Sequence, residues 1–198
     1  GTYILYKNEV LFSQTVPFEI GNELLSDLEK YNIEWLLEGE KTLYYRNKPY
    51  ITHIGDFKDE QKYLYPSAYK ELEPSKASDL VFDKFCIGIH KNSDFKSFEA
   101  KYSKIFTIID RGNNFYEIVP ANCSKATGME FLMKHFNVDK KDTIAIGDST
   151  NDLTMLEFAG TSIAMKHSSP IVLEKADYVT DDVFDDGIYN AMKHFELI

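Results

Sequence analysis

The sequence predicts an α/β protein built from a parallel-sheet core that is only partly present in the chain, together with an α+β unit upstream of it. Residues 121–198 alternate helix and strand signals with short connections, the pattern of parallel strands joined by right-handed crossovers. Residues 15–116 show strand runs and separate helices without that alternation. Aromatic side chains are concentrated upstream, and only seven follow residue 120.

Taken in order, the chain opens on strand-like residues 2–6 and 10–12 joined at Lys7-Asn8, a hairpin spanning residues 1–14 at the boundary of the two regions. A helix follows from Thr15, with Pro17 in its first turn and Ile20, Leu24, Leu25, Leu28 and Tyr31 at helical spacing. Residues 33–37, 42–45 and 50–54 read as strands, whereas 61–72 carry several tyrosines without a decisive period. Residues 85–89 read as a buried strand, 93–102 as a short helix, and 104–109 with 115–119 as strands joined at Arg111-Gly112-Asn113-Asn114. The α+β unit is thus expected over 15–116 and the core segment over 117–198. Within the latter, helices are expected at 125–136, 152–158, 170–174 and 186–195, and strands at 143–146, 162–164 and 178–179.

Three parallel strands leave a sheet edge and parts of both faces uncovered. The expectation is that the sheet is completed from outside, by an N-terminal segment or by a second copy of the chain.

The composition bounds the partners. The chain has 198 residues, 43% of them apolar and 27% charged, which excludes disorder, collagen and coiled coil and allows one or two domains. Twenty-two basic against 32 acidic residues give a net charge of −10 with no Lys/Arg block, so nucleic acid is not an expected partner. No stretch approaches the roughly 20 apolar residues of a membrane span. Cys86 and Cys123 lack a second thiol at metal or redox spacing, and free thiols in a cytoplasmic protein are the reading.

The chemistry concentrates in Gly147-Asp148-Ser149-Thr150-Asn151-Asp152. The apolar run before it is a buried parallel strand, so Asp148 stands at the carboxyl end where ligands of open α/β sheets bind. Ser149 and Asp152 have a structural reading as a capping box, which leaves Asp148 unexplained. Two carboxylates four residues apart with no Lys or Arg between them call for a cation, and oxygen-only ligands suit Mg²⁺. A second segment places Ser124 as a helix cap and Lys125 in the first turn, against the helix dipole unless an anion is bound there. Alone, Lys125 reads more readily as a solvated surface lysine, and its weight comes from the strand-tip acids downstream. Lys166 and His167 stand in a loop after a strand and could face the same cleft, and Asp181-Asp182 with Asp185-Asp186 read as a solvated turn. Trp35, Tyr44, Tyr45 and the tyrosines between Tyr63 and Tyr69 are core or substrate-facing candidates.

These motifs, with Ala159-Gly160, Ile163-Ala164-Met165 and Ala176-Asp177-Tyr178-Val179-Thr180, resemble the haloacid dehalogenase superfamily, specifically its Cof-like phosphatases, in which a large α/β cap is inserted in a Rossmann-like core. The resemblance implies Mg²⁺-dependent hydrolysis of a small phosphorylated metabolite such as a sugar phosphate, nucleotide or cofactor phosphate. In it Lys125 would neutralise the phosphate and nucleophile, Asp148 would ligate Mg²⁺, Asp152 would complete or support the metal site, and Asn151 would bind phosphate. The upstream α+β unit would be the cap that sets specificity. The family's nucleophile lies in a DxD motif on a first core strand, and no DxDG occurs in this chain. That segment is therefore expected to be missing and the chain alone to be inactive. Lys166-His167-Ser168 also replaces the family's usual Gly-Asn-Ala. The competing reading is a noncatalytic module that binds a phosphorylated ligand or complements a partner through the open edge.

Overall fold

The structure is a computed structural model in which residues 1–72 and 80–198 are described. The chain forms two compact units, residues 2–122 and residues 123–198 together with Gly1.

In the first unit, β1 (Tyr3–Tyr6) and β2 (Glu9–Ser13) form an antiparallel hairpin. Lys7 and Asn8 both adopt positive φ, the backbone of a tight turn that matches strand twist. Helix α1 (Phe18–Lys30) is followed by β3 (Glu34–Glu38), β4 (Leu43–Arg46), α2 (Ile54–Leu64) and β5 (Tyr69–Leu72). Then come β6 (Lys84–Gly88), α3 (Phe95–Tyr102), β7 (Phe106–Asp110) and β8 (Phe115–Pro120). The six later strands make one sheet in the order β5-β4-β3-β6-β8-β7, antiparallel except for the β4–β5 pair.

Alternation along these strands sorts the side chains. Trp35, Leu37, Phe85, Ile87, Phe106 and Ile118 meet Leu24, Leu25 and Leu28 of α1 and Phe98 and Tyr102 of α3 in one core. Each such side chain contributes about 1.5–3 kcal/mol on burial. On the opposite face Leu36, Tyr45 and Cys86 pack on Ile54 at the start of α2. This second, smaller core explains two departures from the sequence reading. Residues 50–54 are not a strand, because Ile54 is the fully buried first residue of a helix whose remaining positions are polar or only partly covered. The ambiguous stretch 61–72 is the end of that helix followed by β5. Pro17 stands at the cap position of α1, so the helix begins three residues after Thr15, at Phe18. The expected limit after residue 116 falls inside β8, which the sheet holds to Pro120.

The second unit follows the expected alternation closely. It contains α4 (Lys125–Phe136), β9 (Ile144–Gly147), α5 (Leu153–Phe158), β10 (Thr161–Ala164), α6 (Pro170–Lys175), β11 (Tyr178–Val179) and α7 (Gly187–His194). Its strands are all parallel in the order β11-β10-β9. Ala145, Leu156, Ala164 and Val172 form the core. The helix expected from Asp152 instead begins with a 3₁₀ turn, Thr150–Asp152, and Asp186 adopts a left-handed conformation ahead of α7.

Among the described residues β9 pairs on one side only, beside a groove of about 260 Å³ lined by Met129, Leu132, Met133 and Phe136 of α4 and by Ile144. No helix among the described residues is long and apolar enough to cross a membrane. Cys86 and Cys123 are both buried.

Candidate active site

The site is assembled in the second unit, where β9 ends and α4 begins. Gly147 is the last residue of β9 and lies in register with Ala164 of β10. A side chain cannot be accommodated there: a Cβ on Gly147 would lie 2.6 Å from the Cβ of Asp152. The absence of that atom lets the loop fold back so that Asp152 tucks beneath the strand end.

Asp152 is 4% exposed. Its Oδ2 accepts the backbone N–H of Asp148 at 3.0 Å and of Ser149 at 3.2 Å, and its Oδ1 accepts from the Lys125 ammonium. Ser149 and Asp152 complete the expected capping box. Burial pushes the Asp152 carboxyl up, but the Lys125 ammonium and the two amides outweigh it and hold the group below the usual carboxylate range. It is therefore a fixed anion at neutral pH.

Lys125 is placed by α4. Ser124 accepts the Thr127 N–H at 3.0 Å while the Thr127 hydroxyl accepts the Ser124 N–H at 2.9 Å, a reciprocal cap that fixes the first turn. From there the lysine reaches Asp152 with its side chain 42% exposed, so part of the ammonium still faces solvent. Asp148 is exposed, one residue beyond β9, in which Ala145 and Gly147 are buried and Ile144 and Ile146 only half-buried. Asn151 is half-buried, and its side-chain oxygen accepts the Ser149 hydroxyl at 2.7 Å.

The four residues singled out from the sequence, Lys125, Asp148, Asn151 and Asp152, thus occupy one neighbourhood, but the two acids are not equivalent. Asp152 is turned inward with both oxygens engaged by donors of the chain. Asp148 carries the carboxylate that faces outward.

Among the described residues no three His, Cys, Asp or Glu side chains converge as a metal cage. A hard-oxygen set of one or two carboxylates is the donor chemistry of Mg²⁺, which keeps water and phosphate oxygens in its remaining positions. The residues present fit that ion and do not fit a thiolate or imidazole metal.

His167 pairs with Asp182, which also accepts the Phe184 N–H at 3.0 Å, so part of the acidic run has a structural role. Trp35 and Tyr45 are fully buried in the sheet unit, whereas Tyr63 is 85% exposed. Gly147 was missed as a site residue. A glycine immediately before the strand-tip aspartate was the available signal.

A family model described as haloacid dehalogenase-like hydrolase matches residues 1–192. YxeH of Bacillus subtilis is 33% identical over the whole chain, which covers 77% of that protein. YkrA from the same organism is 27% identical over the whole chain, which covers 74% of it. Both carry phosphatase names. Of solved structures, the sugar phosphatase BT4131, of haloacid dehalogenase subclass IIB, superposes with a TM-score of 0.80 at 22% identity, covering 100% of this chain and 74% of that one. A haloacid dehalogenase-like hydrolase from B. subtilis gives 0.80 at 19% identity over 98% of this chain and 76% of its own. At these identities the two structures speak to the fold.

Proposed function

Because the chain belongs to the haloacid dehalogenase-like hydrolase family, we propose that it supplies the phosphate-gripping half of a Mg²⁺-dependent, cytoplasmic phosphatase acting on small phosphorylated metabolites. The observation that carries this reading is the shared anchoring of Lys125 and the Asp148 backbone on the buried Asp152 carboxylate. The phosphatase names of YkrA and YxeH, and the sugar phosphatase among the similar folds, support it.

In this reading Lys125 binds a phosphate oxygen with the solvent-facing part of its ammonium, offsetting charge that grows as phosphoryl transfer proceeds. Asp148 would hold Mg²⁺, with Asp152 supporting the site, and the ion would supply further charge neutralisation at the phosphate oxygens. Asn151 donates its amide to a phosphate oxygen. Asp152 holds the loop and the lysine in place, so the site needs little rearrangement when a substrate enters. Residues 15–116 serve as the cap that selects the substrate.

No Asp-x-Asp pair occurs in these 198 residues. We therefore assign no nucleophile among them and propose negligible turnover by this polypeptide alone.

Two measurements test the reading. Calorimetric titration with inorganic phosphate in Mg²⁺ should show binding that weakens at least tenfold in Lys125→Ala. Hydrolysis of p-nitrophenyl phosphate by the purified chain should not exceed that of its Asp148→Asn variant. Equal phosphate affinity in Lys125→Ala refutes the anion site, and Asp148-dependent turnover refutes the assignment of inactivity.

A further inference from the structure

We propose that the six-stranded unit carries a ligand cleft of its own, suited to a nucleoside monophosphate. The proposal is independent of the phosphatase site and rests on two cavities in residues 2–122. One, of about 730 Å³, is walled by three separate pieces of chain: residues 48–59, the Ile89-His90 pair and the Asn113-Asn114 turn. The other, of about 340 Å³, is lined by Phe57, Phe115 and Arg111. They share His53, Asp56 and Asn113 as walls, so together they form one two-part cleft. The larger part falls within the range of small-molecule sites.

The two parts differ in chemistry. The larger has Lys48, paired with Glu29, and Lys58, 3.3 Å from Glu71, on its walls beside His53 and His90; their N–H groups can turn to a phosphate, with Asp59 available to sugar hydroxyls. The smaller holds the Phe57 and Phe115 rings, with centroids 5.4 Å apart and planes tilted by 31°. A planar base can stack on such a pair. Arg111, held by Glu117 at 2.7 Å, closes that end. Asn113, common to both parts, has an amide that can donate and accept at a base edge.

The wall is also held in place from beneath. Glu34, 1% exposed, accepts the Ile51 N–H and the Thr52 N–H, both at 2.9 Å, and the Thr52 hydroxyl at 2.6 Å. It also pairs with Arg46 at 2.6 Å, and Arg46 in turn donates to the Pro49 carbonyl at 2.9 Å. A buried ion pair gains little over an apolar pair of the same volume. What this one does is fix the loop that presents Lys48, Tyr50 and His53. Gly88 permits the approach, since a Cβ there would lie 2.1 Å from the Thr52 hydroxyl oxygen.

The test uses the full chain carrying Lys125→Ala, so that the α4 site does not contribute. Titration with adenosine monophosphate, read by calorimetry, should show saturable sub-millimolar binding. Adding Lys58→Ala, or separately Phe57→Leu, which keeps apolar bulk and removes the ring, should weaken it at least tenfold. Ribose 5-phosphate and adenosine, each lacking one half of the ligand, should bind at least tenfold more weakly than the nucleotide. Circular dichroism confirms that each variant is folded. Absence of saturable binding by the folded Lys125→Ala chain overturns the proposal. So does binding indifferent to both Lys58→Ala and Phe57→Leu, and so does ribose 5-phosphate binding as tightly as the nucleotide. A failure here leaves phosphate binding at Lys125 untouched, and the reverse also holds.

Discussion

Replacing Asp152 by alanine removes the acceptor on which the site is built. Two backbone N–H groups lose a charged acceptor and Lys125 loses its partner, while the carboxylate itself is only 4% exposed. Hydrogen bonds to a charged group contribute about 1.5 kcal/mol or more each. The lysine contact adds up to about 1 kcal/mol, since its ammonium is partly solvated. The expected loss for Asp152→Ala is therefore about 3–4 kcal/mol at neutral pH. Asp152→Asn keeps one oxygen for the amides and should lose about 1–2 kcal/mol.

Urea unfolding followed by far-ultraviolet circular dichroism measures both. The pH dependence has a fixed sign: the folded carboxyl titrates below its unfolded value, so its contribution is complete above that value and is lost as pH falls through the folded one. The gap between wild type and Asp152→Ala should thus narrow below about pH 4. Unchanged stability at neutral pH, or a gap that widens on acidification, refutes the reasoning.

Gly147→Ala should approach the loss of Asp152→Ala, because the new Cβ would stand 2.6 Å from the Asp152 Cβ and displace the carboxylate from its donors; the same urea series, with phosphate titration, shows whether stability and binding fall together. Glu34→Gln should destabilise the sheet unit by about 3 kcal/mol or more by leaving Arg46 buried without its anion. Trp35, the chain's one tryptophan, lies beside Glu34 on β3 and in that unit's core, so its fluorescence reports this transition directly.

The parts legible in the sequence are those where local signals and tertiary packing agree. In the second unit the Ser124 cap, the Ile-Ala-Ile run before Gly147, the Ser169-Pro170 helix start and the terminal helix all lie within a residue or two of expectation. Each combines a cap or turn signal with a buried apolar face. The sheet unit was less legible around residues 50–64. Tyr50, Ile51, Thr52 and Ile54 have strand-like composition, but Glu34 holds the backbone of Ile51 and Thr52 in a loop and Ile54 buries itself against Leu36 and Tyr45. Glu34 and Leu36 lie 17 or more residues from these groups in sequence and Tyr45 nine from Ile54, and no local period announces them. At the site, spacing paired Asp148 with Asp152, and it was the family resemblance that joined Lys125 to them. Their division of labour was not legible, because it depends on which way the Asp152 carboxylate turns, and the space left by Gly147 decides that.

The measurement that bears most directly on the phosphatase reading is the effect of Mg²⁺ on phosphate affinity in the wild-type chain and in Asp148→Asn. The account predicts that Mg²⁺ tightens phosphate binding in the wild type and that this gain disappears in Asp148→Asn, with stability unchanged because the Asp148 side chain is exposed. A Mg²⁺ effect of the same size in both proteins, or none in the wild type, contradicts it.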